Sequence, residues 1–123
     1  MAKFKSKFES DFYRQFKNDI VGYELERLSY SLPHTYTPDF KIANKVYIET
    51  KGRFYSADRT KTQAIIRQHL DVTLAIVFMN PNALLYKGAK STYADWCDKQ
   101  GIVWFDHKDK AGIQAFIDLH TGK

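Results

Sequence analysis

The sequence predicts a single α/β domain in which helices pack on a mixed central sheet. Its 123 residues are enough for one domain with its own core and too few for two ordinary domains. Hydrophobic residues make up 44% of the chain and aromatic residues 15%, which is typical of a folded globule. The spacing of apolar residues changes between helical and alternating periods along the chain, so both helices and strands are expected.

The first predicted element is a helix over residues 3–17, marked by a phenylalanine at every fourth position. This spacing places the rings on one helix face, which is expected to face the core. Glu9 lies at the edge of that face, where its carboxylate could point into a site at the rim of the core. The same helix is basic, through Lys5 and Lys7 among others, which serves either solubility or a phosphate-facing surface.

An extended segment follows over residues 21–32, where apolar residues alternate with polar ones. The phase of the alternation slips at Glu26 and Arg27. Such a slip indicates either a bulge or a point where the strand passes from one neighbour to another. Pro33 is expected to end this segment.

A β-hairpin is predicted from two apolar-rich runs, residues 40–42 and 46–50, separated by the turn-prone residues 43 and 44. Because side chains alternate along a strand, Glu49 and Lys51 point the same way. The hairpin folds Asp39 back beside Glu49. Two carboxylates and an ammonium group then converge, and oxygen ligands of this kind suit a hard divalent cation such as Mg²⁺.

The rest of the chain alternates between helices and strands. The predicted elements are a helix from an N-cap at Ser56 to about Leu70, a buried strand over 72–79, a short strand over 84–86, a helix capped by Ser91 and ending at Gly101, a strand over 102–105 and a last helix around Ile113, Phe116 and Ile117.

The formal charge of +5 points to a polyanionic partner, and nucleic acid is the first candidate. His34 is expected either to touch DNA or to stabilise a turn. The single cysteine, Cys97, excludes an intramolecular disulfide and is expected to be a small core residue in a reducing compartment. The four histidines and Cys97 show no zinc-ligand spacing. No apolar run approaches the roughly 20 residues of a membrane span, so no membrane association and a cytoplasmic location are expected.

Asp39 after Pro38, followed by Glu49 and Lys51, looks like the PD-(D/E)xK nuclease signature. Further segments resemble the bacteriophage endonuclease I family of Holliday-junction resolvases, in the same order and over roughly residues 5–106. These segments are HTYTPDF at 34–40, IETKG at 48–52, DRTK at 58–61, IVF at 76–78, LYKG at 85–88 followed by STY at 91–93, and GI at 101–102.

The resemblance implies a restriction-endonuclease-like core in one nuclease domain over 1–123, with an N-terminal helix in 1–20, an extended bridge in 21–33 and a catalytic core in 34–123. It implies that Glu9, Asp39, Glu49 and Lys51 are catalytic. Two Mg²⁺ ions per site, with Mn²⁺ as a substitute, would be held by Asp39, Glu49, the Thr50 carbonyl and Glu9. Lys51 would either stabilise negative charge or orient and deprotonate the attacking water.

The implied partners are branched DNA and a second copy of the chain, with no small-molecule cofactor. The homodimer would be domain-swapped, so that the helix bearing Glu9 comes from one protomer and the hairpin from the other. A phage-encoded protein of this kind would act in the cytoplasm of a bacterial host. The candidate DNA contacts are Lys5, Lys7, His34, Arg53, Arg59, Lys61, Lys87 and Lys90.

Three other interpretations remain open from the residues alone. The hairpin could carry only a cross-strand ion pair at the surface. The enzyme could be a nicking, restriction-type or homing endonuclease of the same fold. The chain could also be a basic DNA-binding module whose acids position a structural metal.

Overall fold

The computed structural model describes residues 3–30 and 34–123, with the backbone alone at residues 34 and 35. The elements in chain order are α1 (Lys7–Phe16), β1 (Gly22–Tyr23), β2 (Leu28–Tyr30), β3 (His34–Tyr36), β4 (Phe40–Ala43), β5 (Val46–Lys51), α2 (Ser56–Gln68), β6 (Thr73–Phe78), α3 (Tyr93–Gln100), β7 (Val103–Asp106) and α4 (Lys110–Thr121).

The described strands form a five-stranded sheet in the order β1-β4-β5-β6-β7 and a separate two-stranded sheet of β2 and β3. The pairs β1–β4 and β4–β5 are antiparallel, whereas β5, β6 and β7 run parallel. Helices α2 and α3 make the two crossovers that parallel pairing requires. The predicted fold class, a mixed sheet flanked by helices, is therefore confirmed.

The central sheet is covered on both faces by apolar side chains. On β6, Ala75 and Val77 join a core that includes residues of α1 and α4, while Ile76 and Phe78 join a second core that includes residues of α3. This alternation follows from the two-residue period of a strand. Cys97 is fully buried in the second core, as the sequence predicted.

Helix α1 begins after Ser6, whose side chain accepts a hydrogen bond from the Glu9 amide at 3.1 Å. The predicted phenylalanine face is confirmed, because Phe12 and Phe16 are buried in the core with Phe40. Glu9 lies deeper than the edge position expected from the sequence, since only 7% of it is exposed.

The segment predicted as an extended bridge folds back on its own chain. Strand β1 pairs with β4, and β2 pairs with β3, so the segment does pass from one neighbour to another where the alternation slips. Glu26 ties it to the hairpin by an ion pair with Lys41 and a 2.6 Å hydrogen bond from the Tyr47 hydroxyl. The end predicted at Leu32 and Pro33 lies outside the described residues.

Several boundaries in the second half of the chain differ from the predictions by one or two residues, including two helix starts and one helix end. The N-cap of α2 is Tyr55, one residue before the predicted Ser56. The N-cap of α3 is Thr92, one residue after the predicted Ser91. In both cases an aspartate three residues later accepts a hydrogen bond from the cap amide, at 2.9 Å, and this spacing selects the cap. Helix α2 also ends at Gln68 instead of Leu70.

The predicted short strand at 84–86 is wrong, because only Leu84 pairs, through a single bridge to Thr92. Gly101 does end α3, with a left-handed φ of 72° that favours glycine. No helix in the described part of the chain combines the length and apolar character needed to cross a membrane.

Candidate active site

The four residues predicted to be catalytic all line one cavity of about 360 Å³. We call it the acid cavity. They come from three separate parts of the chain, because Glu9 lies on α1, Asp39 directly precedes β4, and Glu49 and Lys51 lie on β5. The other lining residues are Lys5, Tyr36, Thr37, Thr50, Asp58, Lys61 and Thr62.

The hairpin brings Asp39 and Glu49 together in the way that the sequence predicted. Because Phe40 pairs with Ile48 and the two strands are antiparallel, Asp39, the residue before Phe40, lies opposite Glu49. The Asp39 amide donates to Glu49 Oε1 at 2.8 Å. The Thr50 amide and hydroxyl both donate to Asp39 Oδ2 at 3.0 Å. Both carboxylates are thus fixed by the backbone of the hairpin itself.

Glu9 is held by the segment that precedes the hairpin. Its Oε1 accepts a hydrogen bond from the Tyr23 hydroxyl at 2.7 Å and another from the Lys5 amide at 2.9 Å. The Lys5 ammonium in turn pairs with Glu24 at 2.6 Å. Tyr23 was not predicted as a site residue, because its only sequence signal was its place in an alternating strand.

Lys51 lies between two carboxylates. Its Nζ is 3.9 Å from Glu49 Oε2 and 3.3 Å from Asp58 Oδ1. Asp58, Lys61 and Thr62 share one face of α2 through their spacing of three and four residues, so the first turns of this helix form a wall of the cavity. In the sequence, Asp58 belongs to the DRTK segment of the family resemblance, and nothing there links it to Lys51.

The buried acids have raised pKa values. Burial first, and then the charge of Glu49, raise the pKa of Asp39 to about 9, although the Thr50 amide hydrogen bond opposes this shift. Burial also raises the pKa of Glu49, with Lys51 acting in the opposite direction. Without a cation, Asp39 therefore keeps its proton at neutral pH, since two buried carboxylates this close repel one another.

Tyr36 contributes a hydroxyl to the same cavity. Burial and the Glu49 charge raise the pKa of this hydroxyl well above its ordinary value. The hydroxyl lies near Glu49, but within the described structure its oxygen meets no partner with hydrogen-bond geometry. An unpaired buried hydroxyl at this place is available to a ligand or a water molecule that enters the cavity.

A divalent cation fits the donor set. Glu9, Asp39 and Glu49 all line the cavity, and the backbone amides of Lys5, Asp39 and Thr50 each donate to one of these carboxylates. In the part of the chain whose side chains are described, no three acidic, histidine or cysteine residues form a complete metal-ligand group. The ion would keep several waters, as Mg²⁺ commonly does, and would relieve the repulsion between the acids.

The candidate DNA contacts do not all lie at the acid cavity. Lys5 and Lys61 line the acid cavity. Lys7 pairs with Asp11 at 2.8 Å and lies at a different cavity, beside Phe8. The side chain of His34 is outside the described part of the structure.

The remaining predicted contacts lie on the other side of Lys51. Arg53, Arg59 and Lys87 line a larger second cavity. Arg59 is engaged in structure, because its guanidinium donates to the Phe54 carbonyl at 2.7 Å. Lys90 is exposed and lines neither cavity. Whether these cations contact DNA stays a prediction.

Comparison with known proteins identifies the family of this chain. The family model of phage endonuclease I matches residues 1–112. The chain is 39% identical over 108 residues to "Endodeoxyribonuclease 1" of Enterobacteria phage T3, covering 84% of this chain and 71% of that protein. It is 37% identical over 111 residues to "Endonuclease I" of Escherichia phage T7, covering 86% and 74%. The chain therefore belongs to the phage endonuclease I family and is an endonuclease.

Proposed function

We propose that this protein is a divalent-metal-dependent endodeoxyribonuclease that resolves four-way and other branched DNA junctions as a homodimer. The observation that carries the proposal is the convergence of Glu9, Asp39, Glu49 and Lys51 on one cavity. The similarity to a phage T3 protein named as an endodeoxyribonuclease supports DNA as the substrate. The net charge of +5 favours a polyanion of this kind.

Asp39, Glu49 and Glu9, with the Thr50 carbonyl, are the residues that would hold Mg²⁺ or Mn²⁺. The bound metal would supply Lewis-acid stabilisation of the phosphate and an activated water at neutral pH. The protein supplies the geometry, because Thr50 fixes Asp39 while Asp39 fixes Glu49. Burial of these acids keeps bulk water away from the reacting phosphate, which strengthens every charge interaction there.

Lys51 has one of two roles in this scheme. Its Nζ lies between Glu49 and Asp58, and as an ammonium it would stabilise negative charge on the phosphate. A neutral Lys51 would instead orient or deprotonate the attacking water. Substitution of Lys51 by Arg distinguishes them, since arginine keeps the charge and cannot act as a base at neutral pH.

The decisive experiment compares a labelled four-way junction with a linear duplex of the same sequence, in Mg²⁺ and in EDTA. We expect paired nicks in the junction with Mg²⁺ only, and much slower cleavage of the duplex. Equal cleavage of both substrates would favour the nicking, restriction-type or homing alternative. No cleavage of either DNA in Mg²⁺ or Mn²⁺ would reject the proposal. The non-catalytic alternative is set aside because the chain belongs to a family of endonucleases.

A domain-swapped homodimer is the second part of the proposal. In the single chain, Glu9 already reaches the acid cavity of its own hairpin. The swapped dimer would keep the same contacts and take Glu9 from the other protomer. Mixing a Glu9→Ala chain with a Lys51→Ala chain tests this, because only a swapped heterodimer contains one intact site. Absence of any rescue after subunit exchange has been verified would contradict the swap.

A further inference from the structure

A second and larger cavity, of about 710 Å³, adjoins the acid cavity. We call it the tyrosine cavity, after Tyr55 and Tyr86, which lie at its rim. Lys51 lines the acid cavity, and the next two residues, Gly52 and Arg53, line the tyrosine cavity. The two cavities are therefore lined by neighbouring residues at two places, at Lys51 and Gly52 where β5 ends and at Asp58 and Arg59 on α2.

The tyrosine cavity opens at the carboxyl ends of two parallel strands. The Met79 amide donates to the Lys51 carbonyl at 3.0 Å and closes the pairing of β5 with β6. Beyond this bond, the cavity lies between two segments of the chain, residues 52–59 and 80–87. Crevices outside the carboxyl ends of parallel strands are common ligand sites in α/β proteins.

The segments that form the cavity are well ordered by hydrogen bonds. The Arg59 guanidinium contacts the Phe54 carbonyl at 2.7 Å and the Leu85 carbonyl at 3.5 Å, so it bridges the two segments. The Leu85 amide donates to the Ser91 carbonyl at 3.0 Å. The Tyr86 carbonyl accepts from Ala89 at 3.0 Å. Tyr86 is thus presented by a fixed turn.

The chemistry of the lining combines exposed rings with positive charge. Tyr55 is 57% exposed and Tyr86 is 67% exposed, and both rings lie at the same cavity. The described lining residues include three cations, Arg53, Arg59 and Lys87, and no carboxylate. Aromatic faces beside cations are the combination by which proteins hold unpaired nucleotides, with the base on a ring and the phosphate on a cation.

We propose that the tyrosine cavity binds one unpaired nucleotide that neighbours the cleaved phosphate. Its base stacks on Tyr55 or Tyr86, and its own phosphate lies near Arg53 and Lys87. The volume is in the range of pockets that bury a ligand of nucleotide size. This inference rests on the proposed nuclease function and adds to it, because it explains how a strand distorted at a branch is told from a continuous duplex.

The test is a scan with abasic sites. A single base is removed from the junction substrate at each of the three positions on either side of the cleaved phosphate. For the wild-type protein we expect loss of one particular base to lower kcat/KM about tenfold, since stacking of one base on an aromatic ring is worth roughly that much. Tyr55→Ala or Tyr86→Ala should cut the intact and abasic substrates at the same reduced rate.

Two control variants make the scan specific. Tyr86→Phe keeps the ring and should keep the discrimination. Leu119→Ala removes an exposed apolar side chain of α4 outside the cavity and should leave both rates unchanged. Equal cleavage of intact and abasic DNA by the wild-type protein at all positions would overturn the inference. So would tyrosine-to-alanine variants that still discriminate.

A binding experiment separates failure of this inference from failure of the proposed function. Short single-stranded DNA carrying the fluorescent base 2-aminopurine is titrated with protein in EDTA, where no cleavage occurs. Quenching that is lost in Tyr86→Ala and kept in Tyr86→Phe supports stacking even if no DNA is cut. Absence of quenching would overturn the inference. A change of oligomeric state in the alanine variants without a change in quenching would also overturn it, and would indicate that the rings contact a second copy of the chain.

Discussion

The acid cavity and the tyrosine cavity lie on either side of the same strand end, yet they are built in opposite ways. The acid cavity holds buried carboxylates, with Asp39 and Glu49 only 6% and 4% exposed, which hydrogen-bond to the backbone and to one another. The tyrosine cavity is lined by exposed rings and by three cations, of which Arg59 bridges its two walls. In the acid cavity the carboxylates repel one another, and a bound cation would relieve this repulsion. In the tyrosine cavity the exposed rings offer a surface that a bound ligand would cover.

This difference has a consequence for mutations. In the acid cavity, each group is held by others, so changes there are expected to alter chemistry and stability together. In the tyrosine cavity, the rings protrude from a fixed backbone, so changes are expected to alter substrate choice and leave the fold intact.

The largest expected effect is loss of cleavage on substitution of the acids. Glu49→Gln keeps the shape of the side chain and the acceptor for the Asp39 amide, and it removes a negative charge from the proposed metal site. We expect cleavage to fall by about 10²–10⁴-fold, the usual range for a group acting directly in the chemistry, with junction binding kept. Single-turnover cleavage and gel-shift binding measure the two quantities.

Lys108→Ala, which removes an exposed lysine outside both cavities, is the matched control for general charge effects. Cleavage by Glu49→Gln within a few-fold of the wild-type rate would show that the acid cavity is not the reaction centre.

The second expected effect is a pH dependence of stability in the metal-free protein. The pKa of Asp39 is about 9 in the folded protein, against 3.8 as its ordinary value. Between these two pH values, Asp39 carries a proton in the folded state that it has lost in the unfolded state. The contribution of Asp39 to the free energy of unfolding is therefore greatest near pH 4 and falls as pH rises towards 9. Urea unfolding in EDTA across this range measures the slope.

Asp39→Asn should flatten that slope, because asparagine does not titrate. Mg²⁺ should stabilise the wild-type protein most at the alkaline end, where the acids are charged. A wild-type stability that rises between pH 5 and pH 9 in EDTA would contradict the raised pKa.

A smaller effect is expected from Tyr23, which positions Glu9. Tyr23→Phe removes the 2.7 Å hydrogen bond to Glu9 Oε1 and keeps the ring that packs on Phe4 and Phe40. A hydrogen bond to a charged group contributes about 1.5–3 kcal/mol, and the Lys5 amide still holds Glu9, so we expect kcat to fall about tenfold.

The variant Tyr13→Phe is the matched control, because Tyr13 belongs to the same ring cluster and its hydroxyl makes no hydrogen bond to Glu9 in the described structure. If Tyr23 positions Glu9 for the metal, the loss in Tyr23→Phe should shrink at high Mg²⁺. A loss that is independent of Mg²⁺ would assign Tyr23 a purely structural role.

The two cavities also differ in how far they could be predicted from the sequence. Asp39, Glu49 and Lys51 were placed together correctly, because one hairpin and the two-residue strand period fix their positions locally. The location of Glu9 followed only from the family resemblance. Tyr23, whose hydroxyl donates a hydrogen bond to Glu9, lies on β1. The pairing of β1 with β4 depends on tertiary structure.

The tyrosine cavity had no signal in the sequence, although Arg53, Arg59 and Lys87 were named as candidate contacts. Its two walls, residues 52–59 and 80–87, are brought together only by the parallel pairing of β5 with β6 across helix α2. The role of Arg59 as a bridge between these walls could not be inferred either, since it depends on the position of a main-chain carbonyl at Leu85. The two helix caps lie one residue from their predicted positions, because Asp58 and Asp95 accept hydrogen bonds from the amides of Tyr55 and Thr92.

The smallest expected effect sharpens the comparison most directly. Tyr86→Ala removes a side chain that is 67% exposed and packs on neither core, so the free energy of unfolding should change by no more than about 0.5 kcal/mol. Phe54→Ala, at the buried base of the same region, should cost about 3–5 kcal/mol. Urea unfolding of both variants gives the two values. A large destabilisation by Tyr86→Ala would mean that the Tyr86 ring supports the fold. The tyrosine cavity would then resemble the acid cavity, where each side chain is held by others.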